Sequence, residues 1–347
     1  MLLPSYRVAL LLHHGIKGND GKTGLALARY RQGEIVVAID QDCTDPADHF
    51  RSLTGIDRDL PIAASLQDAL AYDPDVLLIG IAPSGGALPP QWQAEIQQAI
   101  AAGLSIVNGL HTPMAEDPAL TALLQPNQWI WDVRQEPASL SVGRGRARSL
   151  ACKRILTVGT DMSVGKMSTS LELHRAAQAS GLKSKFIGTG QAGIMISGDG
   201  VALDAVRVDF ASGAVEQQVL KHGEDADIVF VEGQGSLIHP ASTATLPLIR
   251  GSQPTHLILV HRAGQTTIRK FEDVPIPPLP AVIELYEAVA RAGGAYAGAK
   301  VVGIALNTQH LSDIEAEGAI AQVQAETQLP CTDVVRFGPE PLWNVLS

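Results

Sequence analysis

Residues Lys153–Ser170 read KRILTVGTDMSVGKMSTS, and the order of features within this stretch decides the fold. The apolar run Ile155, Leu156, Val158 predicts a buried strand. Gly159 to Gly165 frames a loop, and Lys166 opens a helix that passes Leu171 and Leu173 and stops at Gly181. In that order the loop N–H groups and the helix N-terminus converge on one point, where they favour an anion. Glycines let the backbone curl round a phosphate without Cβ clashes, and a lysine adds a point charge. The candidate phosphate-binding residues are therefore Gly159, Thr160, Asp161, Ser163, Val164, Gly165, Lys166, Met167, Ser168 and Thr169.

Two features depart from the common G-x-x-x-x-G-K-[ST] pattern. Five residues separate Gly159 from Gly165, and Met167 stands where a hydroxyl ordinarily ligates Mg²⁺. Ser168 comes one position late, which turns its side chain by about 100° round the helix. The stretch predicts an anion site without by itself predicting a nucleotide triphosphatase.

Downstream, the apolar residues Ile228 to Val231 lead to Glu232, then Gly233 and Gly235. In phosphate-loop proteins an acid at this place holds a metal or orients a nucleophile. A charge at the end of a buried strand is costly without a partner, so Glu232 is read as a site residue. Further strands are expected at Lys185–Ile187, Thr255–Gly264 and Lys300–Thr308, with a helix within 202–223. FEDVPIPPLPAV, starting at Phe271, reads as a proline-rich loop before a helix from Val282 to Arg291. A last amphipathic helix is expected over residues 312–327.

Upstream, strands and helices alternate again. Arg7–Leu12 and GEIVVAID, ending at Asp40, flank HHGIKGNDGKTG and a helix, which makes a βαβ unit. Asp40 lies nineteen residues after Gly21, where a dinucleotide-binding fold places its ribose acid. Gly15, Gly18, Gly21 and Gly24 are spaced by three, however, which is not G-x-G-x-x-G, and a Rossmann-like domain without bound NAD is the preferred reading. Helices are expected at Ser65–Tyr72, Gln91–Ala102 and Ala115–Leu124, and strands at Asp75–Ile81, Leu104–Leu110 and Trp129–Val133. Ligands bind at the carboxyl ends of such strands, which makes Ser84, Gly85, Gly86, Asn108 and His111 the candidate ligand-facing positions of this half. The polar, arginine-bearing stretch over residues 136–152 reads as a linker, from which Arg144, Arg146 and Arg148 feed towards the phosphate site. The expected domains are residues 1–135, Rossmann-like, and residues 153–347, with the phosphate loop.

The 347-residue chain is long enough for two cores, and 46% apolar with 18% charged residues suits an α/β protein with buried parallel strands. A net charge of −10 argues against nucleic acid or an anionic membrane as partner. Cys43, Cys152 and Cys331 show no metal or disulfide spacing, which predicts a reducing, cytoplasmic setting. No apolar stretch approaches the roughly 20 residues a membrane span needs.

GTDMSVGKM with VEGQGSLIHP resembles the phosphate loop and acidic strand of dethiobiotin synthetase. Over essentially its full length the chain resembles the two-domain DUF1611 family, through GKTGLALARYR, VVAID, LDAVRVDFASGAVE and the same two motifs. The resemblance implies a Rossmann-like parallel-sheet domain followed by a P-loop NTPase-like α/β domain. It also implies a D-glutamate N-acetyltransferase that uses acetyl-CoA, whose phosphates suit an anion loop without hydrolysis. Acetyl transfer to an amine needs a base and donors for the oxyanion. Glu232 is the first candidate base, followed by His239 and His261, and Arg262 is the candidate clamp for a substrate carboxylate. Asp204 and Asp209 are candidates to position substrate or a metal. One alternative is an ATP- and Mg²⁺-dependent ligase or kinase, with Asp161, Glu232 and Asp204 or Asp209 on the metal and Ser168 or Thr169 replacing the missing hydroxyl. Another is a non-catalytic nucleotide- or CoA-sensing module. The expected partners are a small acidic amino acid and further copies of the chain, as a homo-oligomer.

Overall fold

The computed structural model describes residues 2–18, 20–83, 86, 88–292 and 298–347. The chain falls into two compact units, Met1–Gln135 with Ile194–Ala202, and Glu136–Gly193 with Leu203–Ser347.

The first unit runs β1 (Val8–Leu11), α1 (Lys22–Tyr30), β2 (Ile35–Ile39), α2 (Phe50–Thr54), β3 (Ile62–Ala63) and α3 (Leu66–Ala69). It continues through β4 (Val76–Ile79), α4 (Gln93–Ala101), β5 (Ser105–Asn108), α5 (Pro118–Thr121) and β6 (Ile130–Asp132). Its sheet has the order β3-β2-β1-β4-β5-β6 with every pairing parallel. Short wholly apolar strands such as Val8–Leu11 are buried on both faces, as parallel sheets require. The glycines after β1 serve close packing. A Cβ on Gly24 would strike Gly80, to whose carbonyl the Gly24 N–H donates at 2.8 Å.

Asp40 does not reach out as a ribose acid. Fully buried, it accepts the N–H groups of His14 at 3.0 Å and Ile16 at 2.9 Å, and so pins the turn that follows β1. Asn108 is scaffolding as well, donating to Asp132 at 2.6 Å and accepting from the Leu110 N–H. His111 is exposed beside Gly86; Ser84 and Gly85 lie outside the described residues. The helix expected over residues 115–124 shrinks to α5, started by Asp117, which caps the Ala119 N–H, and by Pro118.

The second unit contains β7 (Lys153–Gly159), α6 (Lys166–Ala179), β8 (Ser184–Ile187), α7 (Gln191–Ser197), which runs past its boundary, α8 (Val208–Gly223) and β9 (Ile228–Val231). Then come α9 (Thr245–Ser252), β10 (His256–Arg262), β11 (Thr267–Ile268), β12 (Phe271–Pro275), α10 (Leu279–Arg291), β13 (Lys300–Asn307), α11 (Asp313–Thr327), β14 (Cys331–Thr332) and α12 (Glu340–Trp343). The sheet order is β14-β13-β10-β7-β9-β8, again all parallel. The strand carrying the phosphate loop is thus internal, with the Glu232 strand on one side and the strand of His261 and Arg262 on the other.

Two expectations are corrected here. Residues 271–275 are not loop: β12 pairs antiparallel with β11 in a hairpin, hidden in the sequence by Pro275 and by the lack of an apolar alternation. Residues 136–152 are not a free tether. The fully buried Glu216 of α8 accepts the backbone N–H groups of Arg144 and Arg146 at 3.1 and 2.6 Å, and its other oxygen takes the Arg146 guanidinium at 2.9 Å. Arg146 therefore ends on α8.

Candidate functional site

The loop after β7 curls through Ser163 (φ 55°) and Gly165 (φ 119°) into α6, whose N-terminus no side chain caps. A helix leaves its first N–H groups, here those of Lys166, Met167 and Ser168, without partners inside the helix, and this end is open to an anion. Lys166 is buried, and its ammonium donates to the Asp161 carbonyl at 2.7 Å across the mouth of the loop. Burial pushes its pKa down to about 8, against the pull of Asp161 and Glu232. These residues fit a phosphate, whose charge would complete what the lysine lacks.

Thr169, one of the two hydroxyls the ligase alternative offered in place of the missing one, donates back to the Gly165 carbonyl at 3.1 Å. Ser170 instead meets Thr157 at 3.0 Å, and Thr157 in turn accepts the Gly233 N–H at 2.9 Å. A Cβ on Gly233 would overlap the Thr157 carbonyl, which is why the strand bearing Glu232 must continue into glycine.

Glu232 is buried at the end of β9 and accepts the N–H groups of Thr189 at 2.8 Å and Gly190 at 3.1 Å on one oxygen, with the Gln234 side chain also bonded to its carboxylate. Burial outweighs these bonds and the nearby Lys166 charge, and raises its pKa to about 7. His261 faces Thr160 through Nδ1 at 2.9 Å, and burial lowers its pKa to about 4, so it is neutral at pH 7. His239 accepts the Ala241 N–H on Nδ1, which places its proton on Nε2, 3.7 Å from Asp161 Oδ1. Its basic lone pair is already engaged. Arg262 is half-buried at the end of β10, in register with Asn307, which itself donates to the Val164 carbonyl at 3.0 Å.

Asp161 has another task than the one the ligase alternative gave it. Its carboxylate accepts the Met162 N–H at 2.6 Å, the Gln265 amide at 2.6 Å and the Arg269 N–H at 2.7 Å, joining the loop to the hairpin. Asp204 and Asp209 are exposed, whereas Asp161 and Glu232 are buried. Among the described residues no group of three or more His, Cys, Asp or Glu side chains is placed to hold a metal ion. The three-carboxylate set of that alternative is not gathered.

Tyr286 of α10 is absent from every sequence pattern yet joins the two halves of the site. Its buried hydroxyl donates to the Gly159 carbonyl at 2.7 Å and accepts the Leu237 N–H at 3.1 Å. Burial raises the phenol pKa and keeps the proton in place. Tyr286→Phe leaves both groups unpaired and is expected to cost about 1–3 kcal/mol in urea unfolding. An unchanged midpoint would deny the clamp.

A parallel sheet whose internal strand enters a glycine-framed loop, an uncapped helix and a buried lysine defines a P-loop domain, here following a Rossmann-like unit. The chain belongs to the DUF1611 family: that family's P-loop domain, described as a domain of unknown function, matches residues 141–343, and its Rossmann-like N-terminal domain matches residues 46–136. The chain is 38% identical over 285 residues to a D-glutamate N-acetyltransferase of Tritonibacter scottomollicae, covering 82% of this chain and 84% of that one. It is 38% identical over 281 residues to a protein of the same name from Pseudoalteromonas sp, covering 80% and 83%. It is also similar to the crystal structure of a DUF1611 family protein from Anabaena variabilis ATCC 29413, with 61% identity, a TM-score of 0.95 and 99% of each chain covered. Among the described residues no helix is long and apolar enough to cross a membrane.

Proposed function

We propose that the chain is an N-acetyltransferase that acetylates the amino group of an acidic amino acid, D-glutamate, with acetyl-CoA as donor. The relatives' name supports the substrate class. One observation carries the chemistry: a buried carboxyl with a pKa of about 7 stands in reach of the field of the phosphate-loop lysine, at a site whose helix lacks the metal-binding hydroxyl.

Bound acetyl-CoA would supply the activated acyl group. Lys166 and the first-turn N–H groups of α6 would hold its phosphates, and they neutralise charge without hydrolysing anything. Glu232 takes the proton from the substrate ammonium. A carboxylate offers about four lone-pair sites, so acceptor capacity remains beside Thr189, Gly190 and Gln234. A pKa near the working pH suits a group that must take up a proton and lose it each cycle. Arg262, at the end of β10 on the other side of β7 from the Glu232 strand, holds a carboxylate of the amino acid.

The reading is tested through Met167. Chelation with EDTA is expected to leave acetyl transfer intact, and Met167→Thr, which restores the usual ligand type, to leave it within about threefold. Loss of turnover on chelation with recovery on adding Mg²⁺, and ADP formed alongside product, would instead establish the ATP-dependent ligase.

A further inference from the structure

The β11–β12 hairpin brings two cations to the phosphate loop. Ile268 and Phe271 pair across it, which leaves Arg269 and Lys270 as its two turn residues. Two-residue hairpin turns ordinarily use glycine or asparagine where φ is positive. Here the position with φ 72° is Lys270. A long charged side chain held in the left-handed region persists only where its surroundings over-determine it, and such departures gather at ligand sites.

The anchors are visible. Ile268 is fully buried. The Arg269 N–H and the Gln265 amide both donate to Asp161 Oδ2, at 2.7 and 2.6 Å, so the turn is docked onto the phosphate loop itself. The side chains of Arg269 and Lys270 are exposed, and among the described residues neither makes an ion pair, although Glu272 and Asp273 follow on the same hairpin. In a chain of net charge −10, two unpaired cations beside an anion loop mark a second anion point.

We propose that Arg269 and Lys270 form a subsite for a phosphomonoester, the 3′-phosphate of the coenzyme A donor, with Asp161 as the positioning residue that docks the turn. The inference rests on the acetyl-CoA reading above. Coenzyme A presents two separate anions, a pyrophosphate and a 3′-phosphate, and the phosphate loop has the buried Lys166 within it and the exposed Arg269 and Lys270 on the turn docked to it. A nucleoside triphosphate, with a single phosphate chain, has no use for the second.

Calorimetry with CoA and 3′-dephospho-CoA tests it. The wild-type protein is expected to bind CoA about ten- to hundredfold more tightly, the size of a charge-assisted contact. The double variant Arg269→Ala, Lys270→Ala should bind both ligands with the wild-type affinity for dephospho-CoA. Asp161→Asn keeps both cations yet should also reduce the preference, by loosening the turn. No preference in the wild type, or the same preference in the double variant, overturns the subsite and leaves the donor reading standing. Failure of the wild type to bind either ligand overturns the donor reading and the subsite with it.

Discussion

Glu232→Gln is expected to lower turnover by about 10²–10⁴-fold, the usual size of a general-base effect, while donor affinity changes far less. Glutamine keeps an oxygen for the Thr189 and Gly190 N–H groups, so the loop they belong to should hold its place. The pH dependence gives a second reading of the same variant. Wild-type kcat/KM should fall below pH of about 7, where the buried carboxyl is protonated, and above about 8, where Lys166 loses its proton. The low-pH limb should vanish in the glutamine variant. Stability moves the other way. Folding raises this carboxyl from 4.5 to about 7, so its contribution is full below 4.5 and is lost as pH rises through 7. At pH 8 the variant, freed of a buried charge, should be at least as stable as wild type in urea unfolding. Near-normal turnover would transfer the base to His261.

Lys166→Ala is expected to weaken the phosphate-bearing ligand more than any other single lysine change, by about tenfold to a hundredfold or more in calorimetry. The lysine is the buried cation at the uncapped end of α6, where its charge adds to the backbone donors. Lys166→Met keeps the apolar stem and separates binding from folding. Folding lowers this pKa from 10.5 to about 8, so the group's contribution is full above 10.5 and is lost as pH falls through 8. At pH 7 the methionine variant should therefore unfold no more readily than wild type and still bind poorly. Unchanged affinity for both acetyl-CoA and ATP in the alanine variant would make the loop a structural turn.

The parts of the site that could be read in the sequence are those built by a local strand, loop and helix. The run from Ile155 to Lys166 and the run from Ile228 to Gly235 each carry their own periodicity and glycines, and the strands β7 and β9 stand where those runs put them. The parts that could not be read are contacts between residues far apart in the chain. Tyr286 meets Gly159, 127 positions away, through a helix whose sequence says only that one face is apolar. Gln265 and Arg269 reach Asp161 from 104 and 108 positions away, through a hairpin that runs into a proline-rich stretch and so reads as loop. Asp40 shows the opposite failure, since its spacing from Gly21 suits a ribose acid, but the turn after β1 takes its carboxylate for backbone N–H groups. Spacing along the chain does not say which way a carboxylate faces.

Mass spectrometry of a reaction holding the folded protein, D-glutamate, acetyl-CoA and EDTA tests the acetyltransferase assignment most directly. N-acetyl-D-glutamate and free CoA are expected in equal amounts, formed about 10²–10⁴-fold more slowly by Glu232→Gln. No N-acetylglutamate from folded wild-type protein would contradict the assignment.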